Sequence, residues 1–249
     1  SHSRSALRSA LLLAPSLLAL AGAPSLALAD VHIGPGAHAS TQDLDALNSG
    51  LGNQAVNEGD ITASNPNEHG VFGAAQPWQV VNHGTITADA VGILLIHPDG
   101  SSVHNSVGAE INSGDYSVSI NGDATVVNDG KMTSGGYGTI GLDSGTVTNN
   151  GELTSNGLTV VSIFGDGQIT NTGTISSSAL GLLSIVGTGE ISNSGDIQAD
   201  TTASLFIHGG GQISNSGTIS TTTEDINLSV SDSGEVVNNH IIQAGRDAL

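Results

Sequence analysis

The sequence predicts an all-β protein, a right-handed, three-sided parallel β-helix of about nine coils of about 22 residues each. Three observations carry this reading. First, an asparagine returns at Asn57, Asn82, Asn105, Asn128, Asn149, Asn171, Asn193, Asn215 and Asn238, at intervals of 25, 23, 23, 21, 22, 22, 22 and 23 residues. Second, its neighbours keep register. An apolar residue stands two places before it (Ile169, Ile191, Ile213), and another four places after it (Ile175, Ile197, Ile219). Glycine stands two places after it at Gly59, Gly84, Gly130, Gly151, Gly173, Gly195 and Gly217. Third, another apolar run follows some ten residues on, with Val161, Leu183, Leu205 and Leu228 in one column and Ile163, Ile185, Ile207 and Val230 in the next.

Each unit therefore holds three short runs with a period of two, rich in β-branched residues and bounded by Gly, Asn and Asp. That is the strand signature, and no 3.6-residue period extends over a helical length. A strand in such a coil has one inward face, so a single coil cannot bury its apolar residues. Parallel stacking at about 4.8 Å per coil does bury them, as a continuous column of Val, Ile and Leu. Handedness follows the general crossover preference. The third unit, VHNSVGAEI, places Val107 where Gly is expected and Ile111 two places late, and the last unit carries His240 in the Gly position. The L-x-x-L-x-L pattern of leucine-rich repeats is missing, and the Gly-rich hits of a nonapeptide solenoid fall at the wrong interval.

Residues 1–29 read as a secretory leader. Arg4 and Arg8 precede the apolar stretch ALLLAPSLLALAG, and Ala27-x-Ala29 offers a cleavage site before Asp30. Pro15, Pro24 and the small-residue ending argue against a membrane anchor here. Residues 30–54 are expected to be an N-terminal cap or a linker, and 55–249 the repeat domain. The final VVNNHIIQAGRDAL opens a coil without a polar cap, so the repeat domain is expected to be truncated at that end. The swollen loop SNPNEHGVFGAAQPW holds the only Trp, Trp78, which either meets a ligand or caps a coil; capping is the favoured reading.

The chain has no cysteine, 35 glycines, six aromatic residues and a formal charge of −19. A disulfide scaffold and thiol chemistry are excluded. Without the leader, only Lys131 and Arg246 oppose 23 acidic residues, a net of −21. Such a surface repels nucleic acid and anionic lipid, because phosphate binding needs Lys and Arg. High charge also keeps an exported protein soluble.

The candidates for chemistry are few. Asp99, Asp123, Asp143, Asp166 and Asp232 lie five or six places before the Asn anchor, so the first four could stack as an acidic column and hold calcium. Ordinary turn chemistry explains Asp beside Gly more simply, and no Lys or Arg lies near to act as a lyase base. His83 and His104 flank the anchor on neighbouring units, but no third ligand accompanies them. SIFGDGQ lacks a nucleophile elbow. No catalytic residue and no cofactor is expected. The nine anchor asparagines read instead as a structural ladder of stacked amides, with Gly173 opening a turn that takes positive φ.

A leader followed by VVNHGTITA, VVNDGKMTS, VTNNGELTS, ITNTGTISS, ISNSGDIQA and ISNSGTIST resembles the passenger region of autotransporters, the type V secreted proteins of Gram-negative bacteria. The likeness covers 55–244. It implies export and a C-terminal translocator barrel in the outer membrane; these 249 residues contain no series of barrel strands. It also implies a cell-surface adhesin or self-associating rod rather than an enzyme. The partners would be cell-surface or extracellular-matrix molecules, or another copy, engaged by multivalent weak contact. The rival is a carbohydrate-active β-helix enzyme, which requires a concave groove lined by several Asp and Glu plus a basic residue.

Overall fold

The computed structural model describes residues 31–47, 53–96 and 99–245; the leader expected over 1–29 lies outside them. The period-two runs form three strands per coil. In one central coil these are Gly167–Asn171, Thr174–Ser177 and Gly181–Ile185. Each pairs in parallel with its counterpart one coil on, with Ile169 opposite Ile191, Ile175 opposite Ile197 and Leu183 opposite Leu205. Along each strand buried and part-exposed residues alternate, and all of these apolar residues are buried. Each fully buried Val, Ile or Leu contributes about 1.5–3 kcal/mol, but only once a neighbouring coil covers it. The product is a parallel β-solenoid of about nine turns with almost no helix.

The second strands of all coils form one ten-stranded sheet. The first and third strands were expected as separate faces, yet they belong to a single 17-stranded sheet. The reason lies in two long strands, Val118–Asn128 and Ile140–Asn149, which run through the corner between those faces. Gly122 and Gly145, at φ of 129° and 119°, supply the bend inside them.

The stack also extends further toward the N-terminus than residue 55. Val31–Ile33 pairs with Gln54–Asn57, His38–Ala39 with Asp60–Ala63, and Gln42–Asp43 with Val71–Gly73. The segment expected as a cap or linker thus carries one coil of its own. Its register is hidden in the sequence because Ile33 stands opposite Asn57, where the anchor would be. The corner after it is a Pro35–Gly36 turn instead. The Ala37 amide donates to the Gly34 carbonyl at 3.1 Å, and Gly36 takes φ of 70°, as a type II turn requires.

A short helix, Leu44–Leu47, lies over this first coil, with Leu44 buried. Asp43 caps it, its Oδ1 accepting from the Asp45 and Ala46 amides at 3.1 Å each. Asp45 then ties the helix to the loop expected to cap or to bind. Its Oδ2 accepts from the Ala74 and Ala75 amides at 2.6 and 2.9 Å, and its Oδ1 from the Trp78 indole at 2.9 Å. Trp78 is fully buried and packs against Gly73, so the indole is part of the core and offers nothing to a ligand. Asp45→Ala removes one acceptor from three N–H donors. It is expected to cost about 3 kcal/mol in a urea titration, because hydrogen bonds to a charged group are the stronger kind. At the last described coil, column residues Val236 and Ile242 are 43% and 40% exposed.

Candidate functional site

The anchor asparagines turn inward at the corner between the first and second strands. From Asn57 to Asn215 each is buried, and only Asn238, in the last described coil, is exposed. Each Nδ2 donates to the Oδ1 of the next anchor at 2.7 or 2.8 Å, in eight consecutive bonds from Asn57 to Asn238. Nδ2 also reaches backbone carbonyls. That of Asn171 donates to the Gly173 carbonyl at 3.2 Å within its coil, and that of Asn149 to the Gly151 carbonyl at 3.3 Å and the Thr174 carbonyl of the next coil at 3.2 Å. All eight bonds point the same way along the stack, so each polarises the next. This buried polar column leaves no anchor free to contact a partner from Asn57 to Asn215.

The glycine two places on is needed for a different reason from the one expected. Gly173 is not among the residues with positive φ. A Cβ there would instead collide with the carbonyl oxygen of Gly151, one coil earlier, and the same holds for Gly195 against Gly173 and Gly217 against Gly195. The corner is simply too tight for a methyl group. The irregular third unit confirms the cause. There Val107–Gly108 widens the corner by two residues, with the Ala109 amide donating to the Ser106 carbonyl at 2.9 Å and Gly108 at φ of 80°. Ala109 takes the glycine's place, and its carbonyl accepts from the Lys131 amide as a glycine carbonyl does elsewhere.

The acidic column does not assemble. Asp99 stands opposite Asp123, and its Oδ1 accepts from the Asp123 amide at 3.1 Å. Asp123 in turn stands opposite Ser144 rather than Asp143. A register shift between Asp99 and Ser101 brings Asp99, six places before its anchor, opposite Asp123, five before. No such shift follows Asp123, so Asp143, six before its anchor, falls on the opposite face and the column breaks there. Asp166 is occupied by Thr188, whose amide and hydroxyl donate to its Oδ1 at 2.7 and 2.8 Å. Those two bonds, the amide's first, hold its carboxyl below the usual range. Among the described residues no three His, Asp or Glu side chains are grouped to hold a metal ion. His83 and His104 are likewise not partners. His104 stands opposite Val81, while its Nε2 lies 2.8 Å from Asp129 Oδ2.

One chemically mixed site does form, and it lies on the other side of the anchor. Glu110, Lys131 and Glu152 occupy the same strand position in three successive coils. With Asp129 and glycines they line a groove of about 290 Å³. Lys131 is the only Lys or Arg among the described residues, and its Nζ lies 3.0 Å from Glu152 Oε1. Both side chains are 44% exposed, so this pair contributes little stability. Asp129 accepts from Asn150 Nδ2 at 2.8 Å as well as facing His104. The Asn150 bond and then the His104 bond hold its carboxyl below the ordinary range, so it stays ionised at neutral pH and is no general acid. The signal for this site was available in the sequence: a lone lysine in register with glutamates on either side.

Residues 30–239 match the family model described as the BigA third pectate lyase-like domain. No curated protein and no solved structure matches the chain. The match spans nearly the whole solenoid and agrees with its coil architecture, and the chain belongs to the BigA third pectate lyase-like domain family.

Proposed function

We propose that the chain is an exported, cell-surface β-helix that works as a passenger rod, adhering to cells, matrix or copies of itself through its solvent faces. The observation that carries this reading is the periodic outer surface. Thr170, Ser192 and Ser214 stand in register across successive coils, as do Thr154, Ser176, Gln198 and Ser220. Such ladders present the same weak contact many times at one spacing, which suits avidity better than a single pocket. The formal charge of −19 disfavours nucleic acid and anionic lipid as partners. Export and an outer-membrane barrel downstream belong to the same proposal and rest on the resemblance of the repeats to autotransporter passengers.

A second reading, a carbohydrate-active enzyme, is supported by the groove of Glu110, Asp129, Lys131 and Glu152. The two readings separate in one pair of assays. Protein-coated beads should bind bacterial or epithelial cells saturably, and Lys131→Ala should bind equally well. Release of unsaturated products from an acidic polysaccharide, abolished by Lys131→Ala, would overturn the adhesive reading in favour of the enzyme.

A further inference from the structure

Aromatic residues are scarce in this chain, six in 249, yet both tyrosines sit at one corner, between the second and third strands. There the Tyr116 ring packs closely against Gly138 and Gly141 of the next coil. A Cβ at those positions would sit 2.9 and 3.1 Å from its ring, so the absent side chains let the ring approach. Tyr137 stands beside it, 65% exposed, and Leu158 occupies the next coil, 57% exposed. A cavity of about 210 Å³ opens among Gly136, Tyr137 and Leu158. The outward position of the adjoining strand carries Phe72, Leu94, Ser119 and Gly141 in successive coils, so the apolar residues Phe72 and Leu94 lie on the same face and Ser119 separates them from the tyrosine corner.

The shelf has a polar edge. Asp115 Oδ1 accepts from the Tyr137 amide at 3.2 Å, while its Oδ2 has no partner among the described residues. Burial and then the Asp115 charge push the Tyr116 phenol up, so it remains a neutral donor. From these features we infer that the Tyr137 shelf, at the corner where Tyr116 packs, is a binding subsite for an uncharged sugar unit of a surface glycan. A pyranose presents an apolar C–H face to a flat ring and hydroxyl donors to a carboxylate at its rim. The volume is below the about 300–1,000 Å³ of a drug-sized pocket and suits one residue of a longer chain. Charge selects against uronic, sialylated or sulfated sugars, since the Asp115 carboxylate is bonded to the Tyr137 amide beside the cavity and Lys131, the sole Lys or Arg among the described residues, lines the separate groove. A cationic ligand gains most from several enclosing rings, whereas this shelf is open on one side.

The inference rests on the adhesive reading and names the ligand class for it. The test uses the whole chain and calorimetric titration with cellopentaose, mannopentaose and xylopentaose, with pentagalacturonate as the charged control. At least one neutral probe should bind with Kd of about 1 mM or tighter. Tyr137→Ala, a change at an exposed position, should weaken it about tenfold, and Tyr137→Trp should restore it. No neutral binding, equal binding by Tyr137→Ala, or preference for the galacturonate would overturn the subsite. So would a dimer in sedimentation velocity that Tyr137→Ala abolishes in the absence of sugar binding, which would assign the shelf to a second copy. Bead adhesion measured alongside keeps the two ideas apart. Sugar binding that Tyr137→Ala leaves unchanged refutes the subsite alone, and sugar binding without adhesion refutes the adhesive rod alone.

Discussion

Asn171→Ala is expected to lower stability by about 4 kcal/mol, read as a shift in the urea midpoint at unchanged slope. The substitution removes the acceptor for Asn149 Nδ2 and the donor to Asn193 Oδ1, bonds of 2.7 Å each. Asn149 keeps its bonds to the Gly151 and Thr174 carbonyls, but the buried Asn193 oxygen loses its amide donor. A void replaces the missing amide in a corner closed by backbone, so relaxation recovers little. Asn238→Ala is the control, because Asn238 is exposed and only accepts from Asn215 within the ladder. It should cost less than about 1 kcal/mol. Equal, small effects at both positions would mean that the ladder is decorative.

Gly195→Ala is expected to be nearly as damaging, at about 3 kcal/mol, although it adds a single methyl group. The new Cβ would collide with the Gly173 carbonyl oxygen, and neither side can retreat. The Gly195 amide is bonded to the Asn171 carbonyl at 3.2 Å, and the Asp196 amide to the Gly173 carbonyl at 3.0 Å. Gly34→Ala isolates the cause, since nothing lies within 4 Å of a Cβ there and its φ is not positive. That change should stay within about 0.5 kcal/mol. Thermal or urea unfolding of the two variants side by side distinguishes crowding from the general cost of replacing glycine.

The coil architecture was legible because each column demands one residue type once per coil. Ile169, Ile191 and Ile213 stand in one column for the same physical reason and are all buried. What the sequence could not reveal were causes and corners. Gly173 looks the same whether a turn needs positive φ or a carbonyl needs room, and only the neighbouring coil decides. The first coil went unseen because Pro35–Gly36 makes its corner without an asparagine. The acidic column failed between Asp123 and Asp143, where an offset of one residue sends a strand side chain to the opposite side; only a register shift after Asp99 absorbs the same offset one coil earlier. The groove around Lys131 was legible as a lone lysine in register with Glu110 and Glu152, whereas the corner that joins Tyr116, Tyr137 and Leu158 follows from no repeated position and shows only once the coils are stacked.

The tight corner also bears on how such a rod changes length. Successive anchors at Asn171, Asn193 and Asn215 are separated by 22 residues, and every strand between them meets an equivalent strand above and below. Cutting out one such unit, or copying it, rejoins amide to amide, glycine to carbonyl and isoleucine to isoleucine. Because stability is close to a sum over neighbours, the gene can lengthen or shorten by in-frame duplication without redesigning any contact. The length of the solenoid is then a quantity that recombination can adjust one coil at a time.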